Sequence, residues 1–442
     1  MIKLPEQVNK AICLLKNSGF EAYAVGGAVR DCLLGKVPFD WDITTSARPE
    51  ETEKVFCGER IIETGIKHGT VTVIIDDMPL EITTYRIDGD YTDHRHPQTV
   101  SFSDNLRDDL SRRDFTINTL CCNCDDKIID VFGGKDDLNN KIIRCVGDPD
   151  TRFSEDALRI MRAVRFSAEL GFKIEKSTSD SILKNRQLLS DVSKERLQVE
   201  FTKLIMGKYA TDVIRKYHTV IEVFIPELAP LVECEQHTKY HKYDVFEHTL
   251  HAVDAIDFND RILRLTMFFH DFGKPDAKTT DENGTSHFKG HAVISEKKTR
   301  DILKRLKFDN NTINEVSKLV LIHDMKSPRD KIQAKKMMCS LGDEAYLNLI
   351  KIKRADNMAK ADPHAIDEKL KNMRSFYEEI KINNECYNLK SLAVNGDDIK
   401  VFGIAEGKEI KSSLDFLLNG VIEGKCQNRK DVLLEYLKEN TK

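Results

Sequence analysis

The segment from Gly26 to Thr45, GGAVRDCLLGKVPFDWDITT, constrains the fold of this chain more than any other. The apolar stretch Ala22–Val25 precedes Gly26 and Gly27, and an amphipathic run follows them, which predicts a strand, a glycine turn and the start of a helix. Glycines at such a turn let the backbone approach a phosphate, and the N–H groups of a helix start favour an anion. Arg30 falls in the first helical turn, where its guanidinium can bind a triphosphate.

Two aspartates, Asp40 and Asp42, follow within the same segment. On an extended chain, residues two apart point to the same side, so the two carboxylates are expected to lie together. They repel each other unless a cation sits between them, and hard oxygen ligands suit Mg²⁺. A phosphate turn followed by a pair of magnesium ligands predicts nucleotidyl transfer with Asp40 and Asp42 as the catalytic residues.

This segment resembles the nucleotidyltransferase signature of the polymerase β superfamily. In the form GGAVRDxxLG…DxD it is similar to the branch that holds bacterial tRNA nucleotidyltransferases, or CCA-adding enzymes, and poly(A) polymerases. The resemblance implies tRNA, CTP and ATP as partners and Mg²⁺ as cofactor. Glu81, on the next predicted strand, Leu80–Tyr85, is a candidate third carboxylate for the metal.

A second block, RRDFTIN, lies at residues 112–118. It is near-identical to a stretch that the CCA-adding family carries. By that resemblance Arg113 clamps a triphosphate, while Asp114 and Asn118 hold the sugar or the adjacent loop. Taken alone, such a run is more typical of a solvated surface patch.

The third block, Arg152–Phe166, contains Glu155, Asp156 and Arg159. We expect a helix with Ser154 as its N-cap, in which both acids contact Arg159. An ionised aspartate only accepts hydrogen bonds and an arginine only donates them. Side by side they complement the edge of cytosine or adenine, whereas uracil and guanine place a carbonyl against the carboxylate. An ion-pair ladder on a helix surface is the alternative interpretation of this stretch.

The same block matches the EDxxR motif of the CCA-adding family. The resemblance implies that Asp156 and Arg159 read the base without a template and that Glu155 steadies Arg159. Arg162 and Arg165 would then face phosphate or the RNA end. The polar stretch Thr84–Pro97 resembles a loop of enzymes that complete the A step, which CC-only relatives lack.

A second constellation appears in the other half of the chain, around the run HDFGK at residues 270–274. Histidine and aspartate recur in the order H…HD…H…H…D, which resembles the metal-dependent phosphohydrolases of the HD superfamily. Imidazole and carboxylate ligands suit a divalent transition metal or Mg²⁺, and six of them could hold two ions. We expect a working site, with a retired site kept as a helical scaffold as the alternative. The six predicted ligands are His248, His270, Asp271, His291, His323 and Asp356.

Composition limits what else the chain can be. No apolar run approaches the roughly 18 residues of a membrane span, and the N-terminal residues lack a signal-peptide core. The 11 cysteines have no extracellular framework spacing, so we expect reduced thiols and a cytoplasmic protein without a membrane partner. Cys121, Cys122 and Cys124 are predicted to be small packing residues instead of metal ligands.

A chain of 442 residues is too long for one core. We predict an α+β fold: a nucleotidyltransferase head of mixed α/β structure, followed by an all-α neck, body and HD domain. The predicted boundaries are residues 1–145 for the head, 146–235 for the helical neck and RNA-binding body, 236–365 for the HD domain and 366–442 for a helical tail.

The leading hypothesis is a CCA-adding tRNA nucleotidyltransferase with a possible HD phosphohydrolase activity on 2′,3′-cyclic phosphates or 2′-phosphates. A poly(A) polymerase or an A-adding enzyme uses the same chemistry and is the first alternative. A tRNA-end repair hydrolase that acts mainly through the HD domain is the second, and the intact pair Asp40 and Asp42 argues against it.

Overall fold

The structure is a computed structural model, and it describes residues 2–63, 65–66, 69–89, 99–238, 240–401, 404 and 407–440. The chain divides into two compact units, Met1–Ala229 and Pro230–Lys442. The first unit is mixed α/β and the second is mainly helical, which confirms the predicted α+β class. Most of the stretch Thr84–Pro97 that resembles the A-step loop lies outside the described residues.

The first unit is built on a seven-stranded sheet with the strand order β3-β4-β5-β2-β1-β8-β9. β2 and β5 run parallel, and the other neighbours in this sheet are antiparallel. The apolar residues of β4 alternate between buried and half-buried positions, as expected for a strand covered on one face. The strands described in this unit are β1 (Ala22–Val25), β2 (Asp42–Thr45), β3 (Arg60–Ile62), β4 (Thr70–Ile75), β5 (Met78–Thr84), β6 (Arg86–Asp88), β7 (Val100–Phe102), β8 (Cys121–Cys122), β9 (Ile128–Ile129), β10 (Ile142–Ile143) and β11 (Lys173–Ile174).

Helices flank this sheet, and the chain is mainly helical after it. The run Asp148-Pro149-Asp150 predicts a break and a helix start, and a helix does begin there: the Asp148 side chain accepts a hydrogen bond from Thr151 N at 2.9 Å. The helices described in this unit are α1 (Glu6–Asn17), α2 (Gly27–Leu33), α3 (Pro49–Val55), α4 (Leu106–Ser111), α5 (Gly134–Asn139), α6 (Pro149–Glu155), α7 (Leu158–Leu170), α8 (Lys176–Asn185), α9 (Lys194–Ile205) and α10 (Ala210–Ile221).

Two local predictions in this unit are wrong. The sequence of residues 116–122 predicts one strand, but Thr116–Asn118 form a 3₁₀ turn and the strand is limited to Cys121–Cys122. Ser154 does not cap a helix: it lies inside α6 and donates to the Thr151 carbonyl oxygen at 2.8 Å. The chain leaves helical geometry at Asp156, with φ −134° and ψ 101°, before α7 begins at Leu158.

The second unit consists of helices joined by short connections and a two-stranded ribbon. Four of its helices start at aspartate caps, Asp244, Asp260, Asp309 and Asp330, whose side chains accept backbone N–H bonds. Its elements are α11 (Val245–Asp254), α12 (Arg261–Phe269), α13 (Lys274–Ala277), β12 (Thr279–Thr280), β13 (Ser286–His287), α14 (His291–Arg305), α15 (Asn310–Ile322), α16 (Lys331–Leu341), α17 (Asp343–Met358), α18 (Asp367–Ile382), α19 (Gly396–Lys400), α20 (Lys408–Ile422) and α21 (Lys430–Asn440).

The tail of the second unit has its own apolar core. Leu417, Leu418 and Ile422 of α20 pack with Ile399 of α19 and Leu433 of α21. The apolar side of α20 is therefore used for packing within the tail. Across the described part of the whole chain, no helix is long and apolar enough to cross a membrane.

Candidate active site

The turn after β1 brings backbone close to charged side chains. Gly26 has φ +82°, a conformation that favours glycine. A Cβ atom on Gly26 would lie 3.3 Å from Nη1 of Arg113 and 3.7 Å from Oδ2 of Asp42. The missing side chain therefore leaves room between the turn, an arginine and a carboxylate, where an anion and a cation could both be bound.

Strand register lines up the carboxylates beside this turn. Val25 of β1 is opposite Asp42 of β2, and Asp42 is opposite Glu81 of β5. Trp41 is buried whereas Asp40 and Asp42 are exposed, so the two aspartates share a face although β2 begins only at Asp42. Three adjacent positions of the fold thus gather the carboxylates of Asp40, Asp42 and Glu81.

The electrostatics of this group indicate a site that suits a cation. Desolvation raises the pKa of Asp42, and the negative charges of Glu81 and Asp40 act in the same direction, while Arg113 opposes them. A carboxylate with a raised pKa and acidic neighbours gains stability when a positive ion binds. The donor set, all oxygen, fits Mg²⁺.

Arginines that are held by acidic and amide side chains lie next to the Gly26 turn. Arg30 donates through Nη1 to Asn118 Oδ1 at 2.8 Å, and Asn118 in turn donates to Asp114 Oδ1 at 2.9 Å. Asp114 also accepts from Arg162 Nε at 2.8 Å. Burial alone would raise the pKa of Asp114, but Arg162 and the hydrogen bonds lower it below its usual range. Arg113 lies 3.3 Å from the buried carboxylate of Asp109.

These elements line one cleft of about 420 Å³. The motifs predicted most of its lining, and among the residues that were not predicted two are notable. Lys203, from α9, makes no hydrogen bond or ion pair with the described residues, and Phe39 stands directly before Asp40. The lining consists of Gly26, Gly27, Ala28, Arg30, Asp31, Pro38, Phe39, Asp40, Asp42, Arg113, Asp114, Asn118, Arg162, Arg165, Phe166 and Lys203.

Arg165 lines the cleft in a fixed arrangement. Its Nε lies 2.6 Å from Glu200 Oε2, and its guanidinium covers the ring of Phe166 at 3.9 Å. Glu169 holds its Nη1 at 3.0 Å. The side chain is buried, so its charge is presented from a fixed position.

The predicted base-reading residues are organised differently from the expectation. Arg159 donates to Glu155 at 2.6 Å, as predicted, and to the carbonyl oxygen of Arg112 at 2.7 Å. Asp156 is the residue at which the helix breaks, and its carboxylate pairs with Arg196 at 2.9 Å. The predicted contact between Asp156 and Arg159 is replaced by this pair. None of the three motif residues lines the described cleft.

Two of the three clustered cysteines, Cys121 and Cys122, are buried in β8. Burial raises the pKa of Cys121 to about 12 and that of Cys122 to about 11, so both thiols are protonated and pack as small apolar groups. Cys124 is half-buried, and its Sγ accepts a hydrogen bond from Lys16 Nζ at 3.1 Å.

A second polar cluster lies in the second unit. Asp271 is shared between two groups of potential metal ligands: His248 and His270 in one, His291 and His323 in the other. His270 Nε2 lies 3.1 Å from Oδ2 of Asp271, while His291 Nε2 and His323 Nε2 lie 3.4 Å and 3.7 Å from Oδ1. One carboxylate thus faces two separate sets of nitrogen atoms.

Asp356 completes the predicted set. Its Oδ1 lies 3.0 Å from His248 Nε2 and 3.8 Å from His270 Nε2. Gly273 lets the chain after Asp271 approach the start of α14 closely, because a Cβ at this position would lie 2.4 Å from the carbonyl oxygen of His291. All six predicted residues of the HD pattern are therefore brought together.

The four histidines direct the same ring nitrogen at the cluster. Nδ1 of each contacts a backbone carbonyl oxygen, so that Nε2 faces the other ligands, and the Nε2 atoms of His291 and His323 lie 3.1 Å apart. His270 Nε2 and Asp271 Oδ2 are buried without a well-formed hydrogen bond. The carbonyl partners are Ala359 for His248 at 3.3 Å, Met267 for His270 at 2.6 Å, Phe288 for His291 at 2.8 Å and Val320 for His323 at 2.6 Å.

Burial and charge act differently on the histidines of this cluster. Burial lowers the pKa of His323 to about 3 and also lowers the pKa of His248. Burial would also lower the pKa of His291, but the hydrogen bond to Asp271 and the charge of that carboxylate outweigh it and raise the pKa. Burial would raise the pKa of Asp271, but His270 and Lys274 outweigh it and hold the pKa well below its usual range. Neutral His248 and His323 and ionised Asp271 are in the states that bind metal.

One histidine near the cluster, His241, does not fit the order H…HD…H…H…D and is therefore predicted from the sequence to be incidental. Its ring lies 5.4 Å from that of His248, and burial lowers its pKa to about 3. Lys274 Nζ, 2.7 Å from Asp271 Oδ2, and Lys360 Nζ, 2.6 Å from Asp356 Oδ2, also face the ligands. The two lysines follow their aspartates by three and four residues, a spacing that the sequence shows, whereas His241 comes from a separate segment.

Comparison with known families agrees with this architecture. The model described as "Poly A polymerase head domain" matches residues 22–144. The model for tRNA nucleotidyltransferase domain 2 matches residues 279–437, and a model described as a probable RNA and SrmB binding site of polymerase A matches residues 171–231. The first unit thus matches a nucleotidyltransferase head and the second a tRNA nucleotidyltransferase domain.

Individual relatives match over nearly the whole chain. The CCA-adding enzyme of Geobacillus kaustophilus is 34% identical over 442 residues, covering 99% of this chain and 97% of the relative. That of Bacillus subtilis is 33% identical and covers 96% of both chains. The crystal structure of the Bacillus stearothermophilus CCA-adding enzyme in complex with CTP is 30% identical, with a TM-score of 0.68 and coverage of 99% of this chain and 97% of that one.

These similarities place the chain among the template-independent nucleotidyltransferases. More narrowly, it belongs to the CCA-adding enzyme family of tRNA nucleotidyltransferases.

Proposed function

We propose that this chain adds C, C and A to tRNA 3′ ends from CTP and ATP, without a nucleic-acid template and in the cytoplasm. The relatives named CCA-adding enzyme extend over almost its full length. The observation that carries the proposal is the cleft in which the Gly26 turn, two arginines and two aspartates meet. A phosphate cradle beside paired carboxylates is the arrangement that nucleotidyl transfer needs.

The turn and the arginines would bind the triphosphate. Gly26 and Gly27 let the backbone approach the phosphates, and Arg30 and Arg113 supply positive charge from two elements of the fold. Asn118 holds Arg30, and Asp114 holds both Asn118 and Arg162. In this proposal Asp114 and Asn118 act by positioning arginines at the sugar and phosphates.

Asp40 and Asp42 would hold Mg²⁺, with Glu81 as a third carboxylate on the neighbouring strand. When bound, the metal activates the primer hydroxyl and stabilises charge on the transferred phosphoryl group. The protein's own contribution is to fix the two carboxylates on one face beside the turn. Arg162 and Arg165 present positive charge to the phosphates or the RNA end.

Base choice is assigned to Asp156 and Arg159. Arg159 is already oriented by Glu155, so its donors are fixed before a nucleotide binds. Asp156 is paired with Arg196, and reading a base requires the carboxylate to exchange this partner for an amino group. Cytosine and adenine offer that amino group next to an acceptor; uracil and guanine do not.

The test is to offer tRNA ending at N73, C74 or C75 with labelled CTP and ATP, and to sequence the products. The proposal expects completion to CCA from all three ends and no extension beyond. Addition of A to C75 alone would indicate an A-adding enzyme, and long A runs would indicate a poly(A) polymerase. Either result would overturn the assignment to CCA addition.

A second activity is proposed for the six-residue cluster of the second unit. One or two divalent metals would be bound here, because each histidine directs Nε2 at the cluster and Asp271 faces both groups of nitrogen atoms. The ligands would be His248, His270, Asp271, His291, His323 and Asp356. When bound, such a metal lowers the pKa of a water molecule and supplies hydroxide near neutral pH. The substrate class is a phosphoester at a tRNA 3′ end, a 2′,3′-cyclic phosphate or a 2′-phosphate.

Metal analysis and hydrolysis of 2′,3′-cyclic AMP and 2′-AMP with Mn²⁺, Ni²⁺ or Mg²⁺ test this second activity. Asp271→Ala is expected to lose metal and hydrolysis while it keeps CCA addition. Asp281→Ala, which alters an exposed ion pair with His287, is the matched control and should keep both activities. Wild-type protein with neither bound metal nor hydrolysis would identify the cluster as a scaffold.

A further inference from the structure

Phe39 is the most exposed large apolar side chain that the structure describes, with 97% of its surface accessible. It belongs to the segment between α2 and β2, where Trp41 is buried and anchors the chain. Full burial of a phenylalanine is worth about 1.5–3 kcal/mol, so leaving one in water forgoes a large contribution. A ligand that covers the ring would recover it.

The position of Phe39 narrows down that ligand. The residue lines the cleft and directly precedes Asp40, one of the two predicted catalytic aspartates. Two ligands must meet there, the incoming nucleotide and the 3′ end of the RNA primer. The nucleotide's phosphates and base are already assigned to the Gly26 turn and to Asp156 with Arg159. Arg162 and Arg165 are proposed to face phosphate or the RNA end, but the terminal base of the primer lacks an assigned partner.

The chemistry of the side chain also fits the primer. Phenylalanine has no hydrogen-bonding group, and it stacks on every base with about 1–3 kcal/mol per base. In CCA addition the last primer base changes at each step, from the variable nucleotide 73 to C74 and then to C75. A contact that ignores base identity is what a partner for all three ends requires.

Resting on the proposed function, we propose that Phe39 stacks on the terminal base of the tRNA primer and holds its 3′-hydroxyl at Asp40 and Asp42. The cleft is rich in positive charge, from Arg30, Arg113 and Lys203 among others, which suits the phosphates that flank this base. Phe39 is thus a substrate-binding residue for the primer and not for the nucleotide.

The test compares Phe39→Ala and Phe39→Tyr with Val37→Ala. Val37 is 94% exposed on the same segment and is absent from the described lining of the cleft, so it is a matched control. Phe39→Ala is expected to raise KM for tRNA roughly 5- to 150-fold, which is 1–3 kcal/mol of lost stacking, equally for ends N73, C74 and C75. KM for CTP and ATP should stay unchanged, and Phe39→Tyr and Val37→Ala should behave like wild type.

A binding measurement removes any dependence on turnover. tRNA carrying 2-aminopurine as nucleotide 73 should lose fluorescence on binding wild type or Phe39→Tyr, but much less on binding Phe39→Ala. Equal quenching in all variants, a rise in KM for the nucleotide instead of tRNA, or the same defect in Val37→Ala would each overturn the inference. Failure of wild type to add CCA would refute the proposed function instead, and it is measured first.

Discussion

Arg159 is oriented by the protein before any nucleotide binds. It donates to Glu155 at 2.6 Å and to the carbonyl oxygens of Arg112 and Arg152 at 2.7 and 3.1 Å. Such a side chain loses little conformational entropy on binding, which favours discrimination between bases. Its acidic partner in base reading, Asp156, is held by Arg196 instead.

We predict that Arg159→Ala lowers the preference for CTP and ATP over UTP and GTP. A good bidentate contact gives about 1–3 kcal/mol of discrimination, so the ratio of kcat/KM values should fall roughly 5- to 150-fold. Steady-state kinetics with the four nucleotides measures this ratio.

The control for that variant is Arg152→Ala. Arg152 also pairs with Glu155, but it donates to the Ser111 carbonyl at 3.1 Å and carries no base-reading role. It should keep the preference. An unchanged preference in Arg159→Ala, with the fold confirmed by circular dichroism, would contradict base reading by this residue.

Site residues could be predicted from the sequence where one short segment contains both the motif and the strand, turn or helix that positions it. Gly26, Arg30 and Asp42 belong to such a segment, and the pairing of β1 with β2 places Asp42 beside Gly26. Arg196 and Lys203 were missed because each comes from α9, and their relation to the site exists only in three dimensions.

At the scale of elements, the errors have physical causes. The alternating residues of Thr116–Cys122 resemble a strand, yet Gly134 approaches the Thr116 carbonyl so closely that a Cβ would lie 2.2 Å from it, and the backbone turns there. That turn presents Asn118 to Arg30. The break at Asp156 likewise frees its carboxylate from the helix surface, which a helical pattern cannot reveal.

The start of α8 provides a pH-dependent prediction. Burial would raise the pKa of Glu175, but hydrogen bonds from Ser177 and Thr178 outweigh it and lower the pKa to about 2. Because the folded pKa lies below the ordinary value of 4.5, the stabilisation is present above that value and is lost as the pH falls towards 2.

Glu175→Ala should therefore reduce stability by about 1 kcal/mol at pH 7, the usual contribution of a helix cap. The loss should shrink as the pH is lowered from 5 to 3. Thermal unfolding at several pH values measures it, with Glu195→Ala, an exposed residue in the first turn of α9, as control. A difference that stays constant with pH would contradict the assigned pKa.

At the scale of the whole molecule, the two candidate sites belong to different compact units. Residues of the cleft come from Met1–Ala229 and the metal-ligand cluster from Pro230–Lys442. The proposal therefore assigns nucleotide addition to the first unit and phosphoester hydrolysis to the second, so each chemistry can be removed by a substitution in its own unit.

We predict that Mn²⁺ or Ni²⁺ slows amide hydrogen exchange in α11, α12, α14, α15 and α17, which supply or flank the six ligands. A metal ion at 100 times its Kd stabilises the folded state by about 2.7 kcal/mol. Amides that exchange only when the site opens should then exchange roughly 100-fold more slowly. Asp271→Asn should abolish the effect. Unchanged exchange with metal in wild type would favour a scaffold role.

The most direct test of the account is the rate of C and A addition by Asp42→Asn on tRNA ending at N73 and at C75. Mutation of a residue that only holds a metal ligand in place typically lowers metal affinity or activity by about 10- to 100-fold. Loss of a direct ligand should therefore slow both additions by more than about 100-fold. Binding of tRNA should persist, since it depends on cationic side chains. Asp180→Asn, an exposed change on α8, is the control and should be fully active. Near wild-type addition by Asp42→Asn would contradict the claim that this cleft carries the chemistry.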